Sequence, residues 1–341
     1  MFNLESIVRR NILSLKPYSS ARDEFSGKDG VFLDANENPF GELNRYPDPY
    51  QRELKQKLSK LKNVPAEQIF IGNGSDEVID LTFRIFCHPG KDNIIICPPT
   101  YGMYEVSANI NDAAIQKMDL TEGKFQLNRD KILGTINKNT KLIFVCCPNN
   151  PTGNGVKWLD IKKILESFNG IVVVDEAYID FASYDSLITQ LPNHPNLLIL
   201  QTFSKAWGLA GARVGIAYAD AKIISLFNKV KPPYNVSELN QKAALKALDN
   251  YPEFEERKEV ILNERTLIIN KLKELSKVKK IYPTDANFLL IEVDNAGKIY
   301  NDLVEKKIIT RNRNTLVKNC IRITIGSPEE NQKLIEAFKQ I

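Results

Sequence analysis

Between residues 52 and 220 the chain alternates stretches of helical periodicity with short, continuous apolar runs. The runs are DNIIICP (92–98), KLIFVCCP (141–148), GIVVVDEAY (170–178), NLLILQT (196–202) and ARVGIAYA (212–219). Most are rich in Ile, Val or Leu, and several end in proline or polar turn residues. Such runs predict strands buried on both faces of a mostly parallel sheet. Helical patterns such as DPYQRELKQKLSKL (48–61) and WLDIKKILESF (158–168) fall between or before them, which predicts an α/β layered domain.

After KPPYNVSE (231–238) the pattern changes. A charged helical stretch runs from about 238 to 276, broken near Asn250–Pro252, and is followed by the strand-like NFLLIEV (287–293) and CIRITIG (320–326) and a final helix. The expected organisation is a large domain over residues 31–235, a smaller α+β domain over 236–341, and an N-terminal segment, 1–30, packing with the small domain.

Composition adds limits. The length of 341 residues is ample for a large core, and 46 basic against 42 acidic residues leave a net charge of only +4. That balance gives no electrostatic reason to expect nucleic acid or a membrane surface as a partner. The opening MFNLESIVRRNILSLKPYSS has no signal-peptide core, and no apolar run approaches membrane-spanning length. Five cysteines (87, 97, 146, 147 and 320), odd in number and without a CxxC pair, predict buried free thiols and a cytoplasmic location. His88 and His194 each precede a proline in turn-like sequence, which predicts structural or solvated roles and no metal site.

In an open α/β sheet, ligands collect at the carboxyl ends of the strands. The run ending at Cys147 delivers PNNPTG (148–153) there, and the next delivers Asp175, Glu176, Ala177 and Tyr178. The run 197–200 delivers QTFSK, and so Lys205. IGNGSDE (71–77) is a Gly-rich turn entering a helix. Its free N–H groups suit a phosphate, although taken by itself the turn reads first as an ordinary capped helix, with Ser75 or Asp76 near the cap. PNNPTG alone is a plain turn. Asp175 directly follows a β-branched run, and a buried carboxylate is costly unless it meets a cation, a metal or hydrogen-bond donors. A Mg²⁺ role lacks the accompanying GxxxxGK[ST] loop. Lys205, in the Ser/Gly/Ala-rich stretch QTFSKAWGLAGARVG, reads as a phosphate clamp, a Schiff-base nucleophile or a solvated loop lysine. Asn150 and Tyr178 offer hydrogen bonds, while Thr202, Ser204 and Arg213 can hold a phosphate. With Asp175 and Lys205 this is the inventory a pyridoxal 5'-phosphate site needs.

PNNPTG, VDEAY, SKAWGLAGARVG and IRITIG, in this order, resemble the fold-type I pyridoxal-phosphate aminotransferases over nearly the whole chain. LDANENPFG (33–41) followed by RYPDPYQRELKQKL (45–58), and PTDANFLLI (283–291), are similar to the histidinol-phosphate aminotransferases of histidine biosynthesis. The resemblance implies that Lys205 forms an imine with the cofactor and carries the proton in catalysis. Asp175 then pairs with the pyridinium nitrogen, Asn150 and Tyr178 bond the ring hydroxyl, and Tyr101 stacks on the ring. Ser75, Asp76, Thr202, Ser204 and Arg213 surround the phosphate, Asp76 through its backbone N–H. Tyr46 reaches the neighbouring subunit's cofactor, which implies a homodimer with shared active sites.

For substrates, the same resemblance implies that Arg322 clamps an anion and that Arg311, with Arg313 close by, binds a second. Asn36 and Tyr18 are further substrate-binding positions. The implied reaction exchanges an amino group between L-histidinol phosphate and 2-oxoglutarate, giving imidazole acetol phosphate and glutamate. The alternatives are an aromatic or broad-range aminotransferase and a decarboxylase of a phosphorylated amino acid. From another class comes a non-catalytic pyridoxal-phosphate-binding domain of a transcription regulator. That last reading expects a DNA-binding region, and the roughly 30 residues ahead of LDANENP are too few for a winged helix.

Overall fold

The structure, a computed structural model, describes residues 2–19 and 30–341. Seven strands make the main sheet: β1 Ile69–Asn73, β2 Asn93–Ile96, β3 Ala114–Lys117, β4 Thr140–Cys146, β5 Ile171–Asp175, β6 Leu197–Thr202 and β7 Val214–Ala219. Their order is β1-β7-β6-β5-β4-β2-β3. Neighbours run parallel except at β7, which is antiparallel to both β1 and β6. All five predicted runs contain a strand. β1 and β3 were not anticipated. Gly72 and Asn73 make the end of β1 read as a turn, and β3 (AIQK) is a half-exposed edge strand with no apolar run to betray it.

Buried strands alternate their side chains between two cores. Val172 and Val174 of β5 join one cluster, Ile171 and Val173 the other. The helices, in chain order, are α1 Arg10–Leu13, α2 Arg52–Lys62, α3 Ser75–Phe86, α4 Met103–Ile110, α5 Arg129–Thr135, α6 Trp158–Ser167, α7 Ala221–Val230, α8 Glu238–Asp249, α9 Tyr251–Lys273, α10 Ala296–Glu305 and α11 Pro328–Gln340. α2 and α6 cover one face through Leu54, Leu58, Ile161 and Ile164. α3, α4 and α7 cover the other through Val78, Phe83, Tyr104 and Phe227. Fully burying each such side chain contributes about 1.5–3 kcal/mol, so α3 is firmly seated and its first residues are fixed at the rim of the sheet.

The smaller unit is an antiparallel sheet of β8 Val278–Ile281, β9 Phe288–Val293, β10 Arg311–Asn312 and β11 Cys320–Thr324, in the order β10-β11-β9-β8. Ile268 and Leu272 of α9, Leu303 of α10 and Phe338 of α11 pack on it. The predicted break falls at Asn250, which separates α8 from α9, with Pro252 in the first turn of α9. PTG and PTD interlock the two units. Asp285 N–H donates to Gly153 O at 2.7 Å, and Gly155 N–H donates to the Asp285 carboxylate at 3.0 Å. Gly153 has φ +83°, and a Cβ there would lie 2.4 Å from Thr284 Oγ1, so only glycine allows this approach.

The N-terminal expectation is corrected. Ile7, Val8 and Ile12 pack into the large-domain core, Arg9 N–H donates to Ile85 O, and Lys229 donates to Leu13 O. The apolar stripe of this segment therefore covers α3 and α7 of the large domain, not the small domain. The expected boundary at residues 30 and 31 adjoins residues 20–29, which lie outside the described residues. All five cysteines are buried and free. Among the described residues no helix is long and apolar enough to cross a membrane.

Candidate active site

Strand register gathers the chemistry at one rim. Cys146 at the end of β4 pairs with Asp175 at the end of β5, and Thr202 at the end of β6 pairs with Gly215. Because β7 runs the other way, Arg213 just before it stands at this same rim, beside Asn73 at the end of β1. The β10–β11 ladder of the small domain closes the opposite side. Between them lies a pocket of about 440 Å³, a volume suited to a small metabolite.

Twelve predicted residues line it: Ser75, Asp76, Tyr101, Asn150, Asp175, Tyr178, Thr202, Ser204, Lys205, Arg213, Arg311 and Arg322. Tyr46, Asn36 and Tyr18 do not. Tyr46 stacks on Tyr234 with ring centroids 4.3 Å apart, and its N–H donates to Glu37, which joins LDANENPFG to RYP. Asn36 is an exposed loop residue in the left-handed region at φ 55°, and Tyr18 is exposed.

Asp175 is buried. Its Oδ2 accepts from Tyr104 Oη at 2.6 Å and its Oδ1 from Ala177 N–H at 3.0 Å. Burial pushes its carboxyl above the ordinary range, while these two donors and the charge of Lys205 oppose the shift. The Lys205 ammonium lies 5.7 Å from the Tyr178 ring centroid, on a loop whose Leu209 N–H closes back to Phe203 O. Although the side chain reaches solvent through the pocket, loss of hydration and then Arg322 lower its pKa, against the pull of Asp175 and Asp76. Asn150 donates to Tyr178 Oη at 3.2 Å and accepts from Arg322 Nη1 at 2.5 Å.

At the end of the pocket formed by the start of α3 and Arg213, the Asp76 side chain is engaged as well as its backbone. Its carboxylate accepts from Tyr101 Oη and from Arg213 Nη2, each at 3.2 Å. Arg213 Nη1 also reaches Ser204 Oγ at 3.5 Å, and Thr202 Oγ1 accepts from Ser204 N–H at 3.1 Å. Two glycines permit this crowding. A Cβ on Gly215 would sit 2.2 Å from Ser75 N, and one on Gly74, where φ is +79°, would sit 2.6 Å from Arg213 Nη2.

A profile of aminotransferase class I and II matches residues 27–338. A histidinol-phosphate aminotransferase of Cytophaga hutchinsonii is 52% identical, covering 99% of this chain and 99% of its own, and one of Christiangramia forsetii is 53% identical over 100% and 98%. The solved histidinol-phosphate aminotransferase of Sinorhizobium meliloti, in complex with pyridoxal-5'-phosphate, shares the fold at a TM-score of 0.79 and 23% identity, covering 90% of each chain. This chain belongs to the class I and II aminotransferase family. It is a pyridoxal-phosphate-dependent aminotransferase of fold type I.

The residues present in the aminotransferase fit that cofactor. Desolvation raises the pKa of the buried Asp175 carboxyl, which has no cation in direct contact among the described residues; a protonated ring nitrogen would supply one. The hydroxyls of Ser75, Thr202 and Ser204, the Arg213 fork and the first N–H groups of α3 form an anion cradle. A neutralisable lysine stands between these two ends.

Sequence reasoning missed Tyr104 and the pocket position of Arg313. Tyr104, fully buried, stacks on Phe144 at 4.8 Å and meets Tyr101 edge-on at 5.6 Å while bonding Asp175. In PPTYGMY it lies three residues beyond Tyr101, and nothing in that spacing marks its hydroxyl as a partner of Asp175. Glu176 is buried outside the pocket. It accepts from Ser186 Oγ, Leu187 N–H and Gln201 Nε2, tying the end of β5 to β6.

Proposed function

We propose that this aminotransferase interconverts L-histidinol phosphate and imidazole acetol phosphate, with 2-oxoglutarate and glutamate as the other pair. The observation carrying this reading is the full-length identity of about half the positions to relatives of that name. An arginine-lined pocket supports it, because the phosphate monoester and both carboxylates of glutamate are oxyanions that a guanidinium engages through two parallel hydrogen bonds.

Asp175 would hold the cofactor's ring nitrogen, Asn150 and Tyr178 its ring hydroxyl, Tyr101 its face, and Ser75, Asp76 N–H, Thr202, Ser204 and Arg213 its phosphate. Lys205 would hold it covalently until substrate binds. The bound cofactor supplies an electron sink for the charge that develops at the substrate Cα. Lys205, once released, takes the proton from Cα, and its lowered pKa increases the neutral fraction able to do so. Arg322, fixed by Asn150, orients one substrate anion and Arg311 the other, which keeps the Cα–H bond aimed at the lysine.

The same proposal places a homodimer in the cytoplasm, with Tyr46 serving the neighbouring subunit. Val31, Leu33 and Phe40 are 88%, 88% and 82% exposed in the single chain, an apolar surface suited to a second copy. Buried free thiols suit a reducing compartment.

Steady-state turnover with 2-oxoglutarate tests the substrate. The expected result is a kcat/KM for L-histidinol phosphate about 100-fold or more above that for L-phenylalanine. Equal values, or a preference for phenylalanine, support the aromatic aminotransferase instead.

A further inference from the structure

Three arginines share one face of the small-domain ladder. Arg311 on β10 pairs directly with Arg322 on β11, and Arg313, two residues along, continues the antiparallel register by donating its N–H to Cys320 O. Side chains at positions i and i+2, and at directly paired positions, emerge on one side of a sheet. All three line the same pocket. Like charges placed this way repel, so the arrangement is unfavourable unless an anion fills the space between them. No carboxylate bridges to any of the three among the described residues. Arg322 is held by Asn150 and lies over the Phe288 ring at 5.2 Å. Arg313 differs: its Nε is buried and has no hydrogen-bond partner among the described residues. A buried guanidinium N–H without an acceptor is costly, and Arg313 lines the pocket where an anionic ligand could offset the crowding of like charges.

We propose that Arg313 is a specificity-determining residue, a third guanidinium that engages the phosphate group of the amino donor. The inference rests on the substrate reading above and deepens it. Glutamate presents two singly charged, planar carboxylates, and Arg311 and Arg322 match them one to one. A phosphate monoester carries close to two negative charges and three terminal oxygens, so it can occupy a second fork beside Arg311. Arg313 therefore separates the two substrates of one active site by their anions. The crowding at Arg313 agrees with this: burial, then Arg322 and Arg311, bring its pKa down to about 10.

The test compares holoenzyme Arg313→Gln with wild type. The KM for L-histidinol phosphate is expected to rise about 10-fold or more with kcat little changed, while the KM for glutamate moves less than about 2-fold. Competitive inhibition by inorganic phosphate is expected to weaken by a similar factor. Arg313→Lys, which keeps the charge without the fork, is expected to fall between. Removing one of three like charges is expected to leave the melting temperature unchanged or higher, so a folding defect in Arg313→Gln contradicts the account. An unchanged KM for histidinol phosphate together with unchanged phosphate inhibition overturns the proposal, as does an equal rise in the glutamate KM. If wild type does not turn over histidinol phosphate, the substrate reading fails. The phosphate-inhibition arm still decides whether Arg313 binds that anion.

Discussion

At the scale of single residues, the pocket converts ordinary side chains into reactive ones by choosing their neighbours. Lys205 belongs to a chain with 46 basic residues, yet it is the one set between Asp175, Tyr178 and Arg322. Lys205→Ala is expected to retain cofactor by the cradle alone while turnover falls by about 10³-fold or more; wild-type-like turnover removes the central role assigned to it. Arg322 lowers the Lys205 pKa, so Arg322→Gln raises it and moves the acid limb of the kcat–pH profile towards higher pH. A limb that stays in place or moves to lower pH contradicts that coupling. Tyr104 donates to Asp175, and Tyr104→Phe withdraws one of the two donors opposing its burial. The Asp175 pKa then rises further, and cofactor affinity is expected to drop about 10-fold on titration of the apoprotein. Lys205 and Asp175 were legible because each was out of character with its surroundings in sequence. Tyr104 was not, since an aromatic in an apolar setting looks like core until its hydroxyl partner is seen.

At the scale of elements, the site depends on how strand ends and loops are braced. The SKAW loop carries Lys205 and is anchored by Trp207, whose indole stacks on Phe254 of α9 at 3.9 Å. Trp207→Ala is expected to cost about 3–5 kcal/mol of stability in denaturant unfolding, with kcat reduced because the lysine loop loses its support. A loss under about 1 kcal/mol shows that the stack is not what holds the loop. The central strands were readable because they are buried on both faces and thus continuously apolar. β3 and the two-residue β10 escaped because edge and very short strands carry no such pattern. The placement of residues 7–13 on α3 and α7 was not readable either, since an amphipathic stripe says that it will be covered and not by what.

At the scale of the whole molecule, two units share core residues, with Phe288 and Tyr282 of the small domain packed into the large-domain cluster. The pocket exists only where they meet, so its arginines could be named from sequence while their common face required the β10–β11 register. The exposed Val31, Leu33 and Phe40 lead to an assembly prediction. Leu33→Asp with Phe40→Asp is expected to shift a dimer towards monomer in sedimentation and to weaken cofactor binding. A wild-type protein that sediments as a monomer at micromolar concentration contradicts the shared-site account. The central claim, an aminotransferase that takes its amino group from a phosphorylated donor, is tested most directly by a single half-reaction. Purified yellow holoenzyme is mixed with L-histidinol phosphate or with L-phenylalanine, without any oxo acid, and the visible absorbance of the cofactor is followed. Rapid bleaching by histidinol phosphate alone is the predicted result, and bleaching by phenylalanine alone would contradict it.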